Sequence, residues 1–334
     1  MIWLDWERVE DIVRKEKPKK VIIVGPDGIV DVLLDLGKKL ETMGVRAYVS
    51  GDPSYGSCDL QLNKAYVAGA DLILNVGHTI GLESIGNVRF INFQYIFDEE
   101  DIEKITELMI GYINENRLNG KIGIYTISNY YSAYTMLIKK LEGKVDIAKP
   151  GKYETLLLGQ VLGCNFYSAF VPNTDYNFFL GESLFHAIGL QLSTEKETFM
   201  LDPHTKEITG VREEANKYLK ASFARIAIAN RAEKIGIIVG EKEGQANLQK
   251  ADFISRELKK FNVSTFMIIM NEITPEKVNK FQGMDAFVET ACPRIPMNVE
   301  GFKKPLLSYP EALALIKIKK KIPVTNPYRG ALWF

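Results

Sequence analysis

KKVIIVGP at residues 19–26, KIGIYTI at 121–127 and KIGIIVG at 234–240 are one phrase written three times. Each sets an exposed lysine before a short β-branched run, the composition of a buried strand. Apolar residues recurring every three or four positions follow each phrase and predict helices: IVDVLLDLGKKLETM (29–43), YSAYTMLIKKLEG (131–143) and QANLQKADFISRELKKF (245–261). A further strand candidate closes each unit, VRAYVS, KVDIA and VSTFMIIM. The phrases start 102 and 113 residues apart (121 − 19 and 234 − 121). Strand–helix–strand at that period predicts three similar α/β domains with mainly parallel sheets, in a pseudo-threefold arrangement. Between the units, residues 98–118 and 211–234 read as linking helices that pack across boundaries. They divide the chain into domains at 1–118, 119–228 and 229–334.

Composition narrows the function. The 334 residues are 46% hydrophobic and 25% charged, with 42 basic side chains against 42 acidic ones. That balance excludes a protein built to bind nucleic acid by counterion release. The opening MIWLDWERVEDIVRK carries acids from its fifth residue, so it is not a signal peptide. Its Leu4, Trp6, Val9, Ile12 and Val13 predict an amphipathic opening helix. TLLLGQVLGCNFYSAFVPNT (155–174) is uncharged over 20 positions, a membrane-spanning length. Its Gln160, Asn165, Pro172 and Asn173 make it a buried central segment instead, and the protein is expected to be cytoplasmic, without a membrane partner. Near the C-terminus, Tyr328, Trp333 and Phe334 are expected to fold back onto a domain or a partner subunit.

Three cysteines remain, Cys58, Cys164 and Cys292, separated by 106 and 128 residues. Those gaps exclude CxxC and zinc-finger spacings, and each cysteine alone reads as an ordinary buried one. Their distribution is less ordinary. One falls in each unit, after VRAYVS through the loop GDPSYGS, after LLLGQVLG, and after MDAFVETA. Sites in open α/β sheets form beyond the carboxyl ends of the strands, so three facing units could bring three loop cysteines to one place. Three thiolates suit zinc, copper(I) or an iron–sulfur cluster. A [4Fe–4S] cluster normally takes four cysteines, so three would leave one iron open. Pro293 biases Cys292 to an extended conformation and removes one amide from its loop.

YGSCD (55–59), GQVLGCNF (159–166) and ETACPRIPMN (289–298) resemble the three cysteine motifs of the diphthamide synthase family. FLGESLFHAIGL (179–190), KEGQ (242–245) and LLSYPEAL (306–313) extend the resemblance over nearly the whole chain, while GHTIGLES and FMLDPHTKEI follow the family only loosely. The resemblance implies a radical S-adenosylmethionine transferase in which Cys58, Cys164 and Cys292 ligate a [4Fe–4S] cluster. One electron, from an external donor, would break the sulfur–γ-carbon bond and leave methylthioadenosine. The 3-amino-3-carboxypropyl group would pass to carbon 2 of a histidine imidazole in translation elongation factor 2, the first step of diphthamide biosynthesis. A homodimer is implied as well. Toward the cofactor, Arg294 is a candidate partner for the carboxylate of S-adenosylmethionine. Gln245, at a helix start, is a candidate polar contact, and His186 is the histidine that the resemblance favours over His78 and His204. Two other readings stand beside this one: an iron–sulfur dehydratase like quinolinate synthase, and a non-catalytic partner subunit. A pure scaffold needs no cysteines, which argues against the latter.

Overall fold

The computed structural model describes residues 1–297 and 300–333. Strand β1 (Ile2–Leu4) pairs antiparallel with β7 (Phe93–Tyr95), so Leu4 belongs to a strand and helix α1 (Trp6–Glu16) starts later than the apolar pattern suggests. Asp5 caps α1 by accepting the Arg8 N–H at 3.1 Å. The first main sheet contains β2 (Lys20–Val24), β3 (Arg46–Val49), β4 (Leu72–Val76), β5 (Ser84–Ile85) and β6 (Val88–Ile91), in the order β3-β2-β4-β6-β5. All its pairings are parallel except β5 with β6. Helices α2 (Val30–Thr42) and α3 (Leu62–Ala68) connect its strands.

Helix α4 (Glu99–Glu115) leads into the second sheet, which has β8 (Ile122–Thr126), β9 (Tyr176–Leu180), β10 (Glu197–Asp202) and β11 (Glu207–Gly210) in sequential order. Only β11 is antiparallel. Helices α5 (Tyr131–Leu141), α6 (Leu184–Thr194) and α7 (Arg212–Ala229) flank it. The third sheet has β12 (Lys234–Gly240), β13 (Ser264–Met270), β14 (Ala286–Glu289) and β15 (Leu306–Leu307), all parallel, in the order β13-β12-β14-β15. Its helices are α8 (Leu248–Lys259), α9 (Pro275–Val278) and α10 (Tyr309–Lys319).

The repeat read from the sequence is therefore a repeat of architecture. In the first and third sheets the leading strand lies between the second and third. In the second sheet KVDIA forms no strand. It is reduced to one parallel bridge, Ile122 with Ile147, at the free edge of β8, with amide hydrogen bonds at 2.8 and 2.9 Å on either side. Gly143 and Pro150 bracket this segment, which leaves few residues able to extend the ladder. All three units share one further device. An aspartate just before β4, β9 and β14 accepts a main-chain N–H at the start of the leading strand: Asp71 from Lys20 at 2.9 Å, Asp175 from Lys121 at 2.8 Å, Asp285 from Lys234 at 2.9 Å. Its own amide donates back to the same residue's carbonyl at 2.7–2.8 Å. These reciprocal bonds fix strand register at the amino edge of each sheet and leave the carboxyl edge for loops.

The connecting helices pack asymmetrically. Helix α4 buries Ile102, Ile105, Met109 and Ile113 in the same core as Ile122, Phe178 and Leu201 of the second sheet. Helix α7 contributes Ala215 to the second unit's other core and Ile226 and Ala229 to the third unit's. The C-terminal segment returns to the second unit, where Tyr328 and Trp333 are buried with Val161 and Phe166; Phe334 lies outside the described residues. Residues 155–174 contain loops, isolated β-bridges at Gln160, Leu162 and Asn165, and one 3-10 turn (Tyr167–Ala169), and no helix among the described residues is long and apolar enough to cross a membrane.

Between α7 and α10, Arg225 donates through Nε and Nη2 to Glu311 Oε1 at 3.1 and 2.6 Å, with the Glu311 side chain fully buried. Glu311 also completes the capping box of α10 with Ser308. Removing one member of a buried pair leaves the other charge uncompensated. Arg225→Met is expected to destabilise the protein by about 3–5 kcal/mol, read as a lowered urea midpoint; a midpoint matching the parent would show the pair to be dispensable.

Candidate functional site

The Cys58 loop leaves β3 and is tied to itself before it meets anything else. Ser54 Oγ donates to the Asp59 carbonyl at 3.0 Å, and the Asp59 amide donates to the Gly56 carbonyl at 3.1 Å. The KEGQ segment of the third unit then clamps the loop. Glu243 accepts the amides of Leu60 and Leu62 at 3.0 and 2.9 Å, and the Gly244 amide donates to the Cys58 carbonyl at 2.8 Å. A Cβ on Gly244 would lie 2.6 Å from both Cα and Cβ of Cys58, so only glycine permits this approach. Lys242 pairs with Asp59 at 3.5 Å and Glu272 at 2.6 Å. Gln245, buried, donates from Nε2 to the Cys58 sulfur at 3.5 Å.

Cys164 occupies a tight turn closed by the Leu162 amide to the Asn165 carbonyl, at 2.9 Å, and the reverse bond at 3.2 Å. The C-terminal segment pairs alongside it: the Trp333 amide donates to the Cys164 carbonyl at 2.9 Å and Phe166 donates to Ala331 at 2.7 Å. Cys292 follows β14. Glu289, the last residue of that strand, accepts the amides of Ala291 and Cys292 on one oxygen, both at 2.8 Å. The Ile295 amide donates to the Cys292 carbonyl at 3.1 Å and closes the next turn. All three cysteines thus stand beyond carboxyl ends of strands, where sites of open parallel sheets form.

The thiols sense one another. Burial pushes Cys164 up to about 12, with Cys58 as the next cause. Cys292 is raised by burial first, then by Glu289, with contributions from Cys58 and Cys164. Cys58 is raised by burial, against the hydrogen bond from Gln245. Three thiols from three units therefore lie within electrostatic reach and remain neutral without a cation, the situation that a metal reverses by displacing protons. Among the described residues no three His, Cys, Asp or Glu side chains are arranged to hold one metal ion. Three cysteines and no fourth form a donor set that fits an iron–sulfur cluster with one corner left without a cysteine.

Arg294 is exposed, with its guanidinium 5.7 Å from the Phe185 ring centroid. His186 stacks on Phe179 at 5.7 Å, and its Nδ1 lies 2.8 Å from Ser183 Oγ. Burial, with Arg294 adding, pulls it down to about 4, so it is neutral at physiological pH. Arg294, Phe185 and His186 thus come together beside the Cys164 turn, whose Gly163 packs against Phe185. His78 contacts Asn75 and Ser54 behind the Cys58 loop, and burial likewise lowers it to about 4. His204 sits apart, 3.1 Å from the Tyr130 hydroxyl in a cluster with Tyr95 and Phe97. Sequence reading missed Glu289 and Glu243. An acid inside the apolar run MDAFVETA was the visible sign of the first; nothing local marked the second.

The model of the diphthamide synthesis protein family matches residues 25–326. The chain belongs to that family. It is 29% identical to 2-(3-amino-3-carboxypropyl)histidine synthase of Pyrococcus horikoshii, over 91% of this chain and 87% of that protein. Subunit 1 of the corresponding synthase of Kluyveromyces lactis is 28% identical, over 89% and 71%. The crystal structure of Dph2 from Pyrococcus horikoshii with a 4Fe-4S cluster superposes with a TM-score of 0.86 at 26% identity, covering 99% of this chain and 95% of that one. In this diphthamide-family chain the three α/β units with mainly parallel sheets are thus shared with a solved relative.

Because the thiolate is the nucleophile, a raised pKa slows alkylation at fixed pH. With Cys164 near 12, its reaction with iodoacetamide in metal-free anaerobic protein at pH 8 should be on the order of a thousandfold slower than that of a free cysteine. The rate should climb tenfold per pH unit toward 12, followed by peptide mass spectrometry; a plateau near pH 9 would contradict the buried neutral thiol.

Proposed function

We propose that this protein transfers the 3-amino-3-carboxypropyl group of S-adenosylmethionine to carbon 2 of a histidine imidazole in translation elongation factor 2, the first step of diphthamide biosynthesis. The observation that carries the reading is that the three cysteine loops, one from each α/β unit, meet: Gln245 reaches the Cys58 sulfur and packs with Ala291 at Gly240, and Arg294 shares the Phe185 ring with Gly163 beside Cys164, in a chain of the diphthamide family. Cys58, Cys164 and Cys292 would hold a [4Fe–4S] cluster and leave its fourth corner to the co-substrate. When bound, the cluster supplies the single electron, received from an external donor, that cleaves the sulfur–γ-carbon bond and releases methylthioadenosine.

The chain's own part is binding and orientation. Arg294, exposed over Phe185, is suited to the co-substrate's carboxylate through a planar, permanently charged fork. His186 is neutral, with Nδ1 engaged by Ser183, so it can offer Nε2 to a polar group without adding charge. Gln245 spends its NH₂ group on the Cys58 sulfur and keeps its oxygen as an acceptor. The KEGQ clamp holds Cys58 so that the first unit cannot drift from the third. The setting we infer is cytoplasmic and homodimeric.

Anaerobic purification with iron and sulfide analysis, followed by dithionite and S-adenosylmethionine, tests the reading. The expected nucleoside product is methylthioadenosine, with about four irons per chain and loss of iron in Cys58→Ala, Cys164→Ala and Cys292→Ala alike. Formation of 5′-deoxyadenosine alone would indicate cleavage of a different sulfonium bond and defeat the proposal. An iron-bearing protein inert toward S-adenosylmethionine would point to the dehydratase reading.

A further inference from the structure

The loop that carries Cys292 turns its backbone donors inward on itself and on Glu289. The amides of Ala291 and Cys292 both go to Glu289 Oε2 at 2.8 Å. Pro293 has no N–H. The amide of Ile295 goes to the Cys292 carbonyl at 3.1 Å, and that of Met297 to the Arg294 carbonyl at 3.2 Å. The Cys292 amide is thus turned away from its own sulfur and toward the Glu289 carboxyl.

The diverting group has no other polar task. Glu289 is completely buried, and among the described residues its Oε1 has no hydrogen-bond partner. Burying an acid without a full set of partners is costly, and a strand position of this kind would ordinarily take an apolar residue. A carboxyl kept in such a place, bonded only to the two amides flanking a thiol ligand, acts on that ligand.

We propose that Glu289 is a positioning residue for the cluster: by holding the amides of Ala291 and Cys292 it aims the Cys292 sulfur into the site and withholds two N–H donors from it. Hydrogen bonds to cysteine sulfur raise the potential of an iron–sulfur cluster by stabilising its electron-rich reduced form. Withholding them keeps the Cys292 corner electron-rich and the reduced cluster strongly reducing, which suits reductive cleavage of a sulfonium. The inference rests on the reading of Cys292 as a ligand.

The test is a redox titration of the reconstituted full-length protein, monitored by electron paramagnetic resonance, on the parent, Glu289→Gln and Glu289→Ala. Gln keeps an oxygen acceptor for both amides; Ala frees them. The expected result is a parent-like midpoint and spectrum for Glu289→Gln. Glu289→Ala should give a raised midpoint with altered g values, or a folded protein that no longer retains iron. If Glu289→Ala fails to fold, as judged by circular dichroism, Glu289→Met takes its place, refilling the volume without an acceptor. An Ala or Met variant with parent midpoint and spectrum would overturn the proposal, as would a Gln variant that shifts or loses the cluster as Ala does. The functional reading fails separately: a parent protein that takes up no iron, or a Cys292→Ala variant that keeps the parent spectrum, refutes the ligand assignment itself.

Discussion

Gly244 and Cys58 touch backbone to backbone, and the site depends on that contact. Their residues are 186 apart in the chain, yet the approach leaves no room for a single added carbon. The contact is held by polar bonds on both sides, Glu243 taking two amides of the Cys58 loop and Lys242 facing Asp59. Loops at sheet ends are ordinarily the mobile part of an α/β fold. Here the first unit's loop is pinned by the third unit's strand-to-helix turn, so a thiol on a loop acquires the placement of a residue on a sheet.

The same logic recurs at the other two corners with different parts. The Cys164 turn is held by the returning C-terminal segment, whose Trp333 and Tyr328 are locked in turn by the indole N–H to the Tyr328 carbonyl at 2.7 Å and by the Tyr328–Tyr218 hydroxyl pair at 3.0 Å. Cys292 is held by Glu289 within its own unit. Three reciprocal aspartate bonds fix the opposite ends of the sheets. Repetition thus supplies three frames of one kind, and each frame is finished by a local device that the repeat does not specify.

That division explains what was legible from residues alone. The leading strands and their helices could be read because a β-branched run and a 3.6-residue periodicity are local properties. KVDIA misled because it has the composition of a strand but only one bridge to β8; pairing depends on what lies opposite, which composition does not encode. The opening helix was read two residues early, since Leu4 is apolar for the sake of β7 rather than of α1. Gln245 was singled out for a helix-start position; the structure instead ends a 3-10 turn there, three residues before α8 begins at Leu248, and gives it a thiol as partner. Glu243 was not, because its partners lie 181 and 183 residues away and the sequence between carries no trace of them.

Charge argues for the same arrangement from another direction. Three thiols of raised pKa carry no charge, and each becomes a ligand only by giving up its proton to a cationic centre. The surroundings offer some compensation: His186 and His78 are held neutral, but Lys250 acts on Cys164 and Lys242 on Cys58. A cationic centre held by the three thiolates would share the balancing of their charge with these two lysines, so the charge on the site is divided between protein and bound group rather than left to either alone.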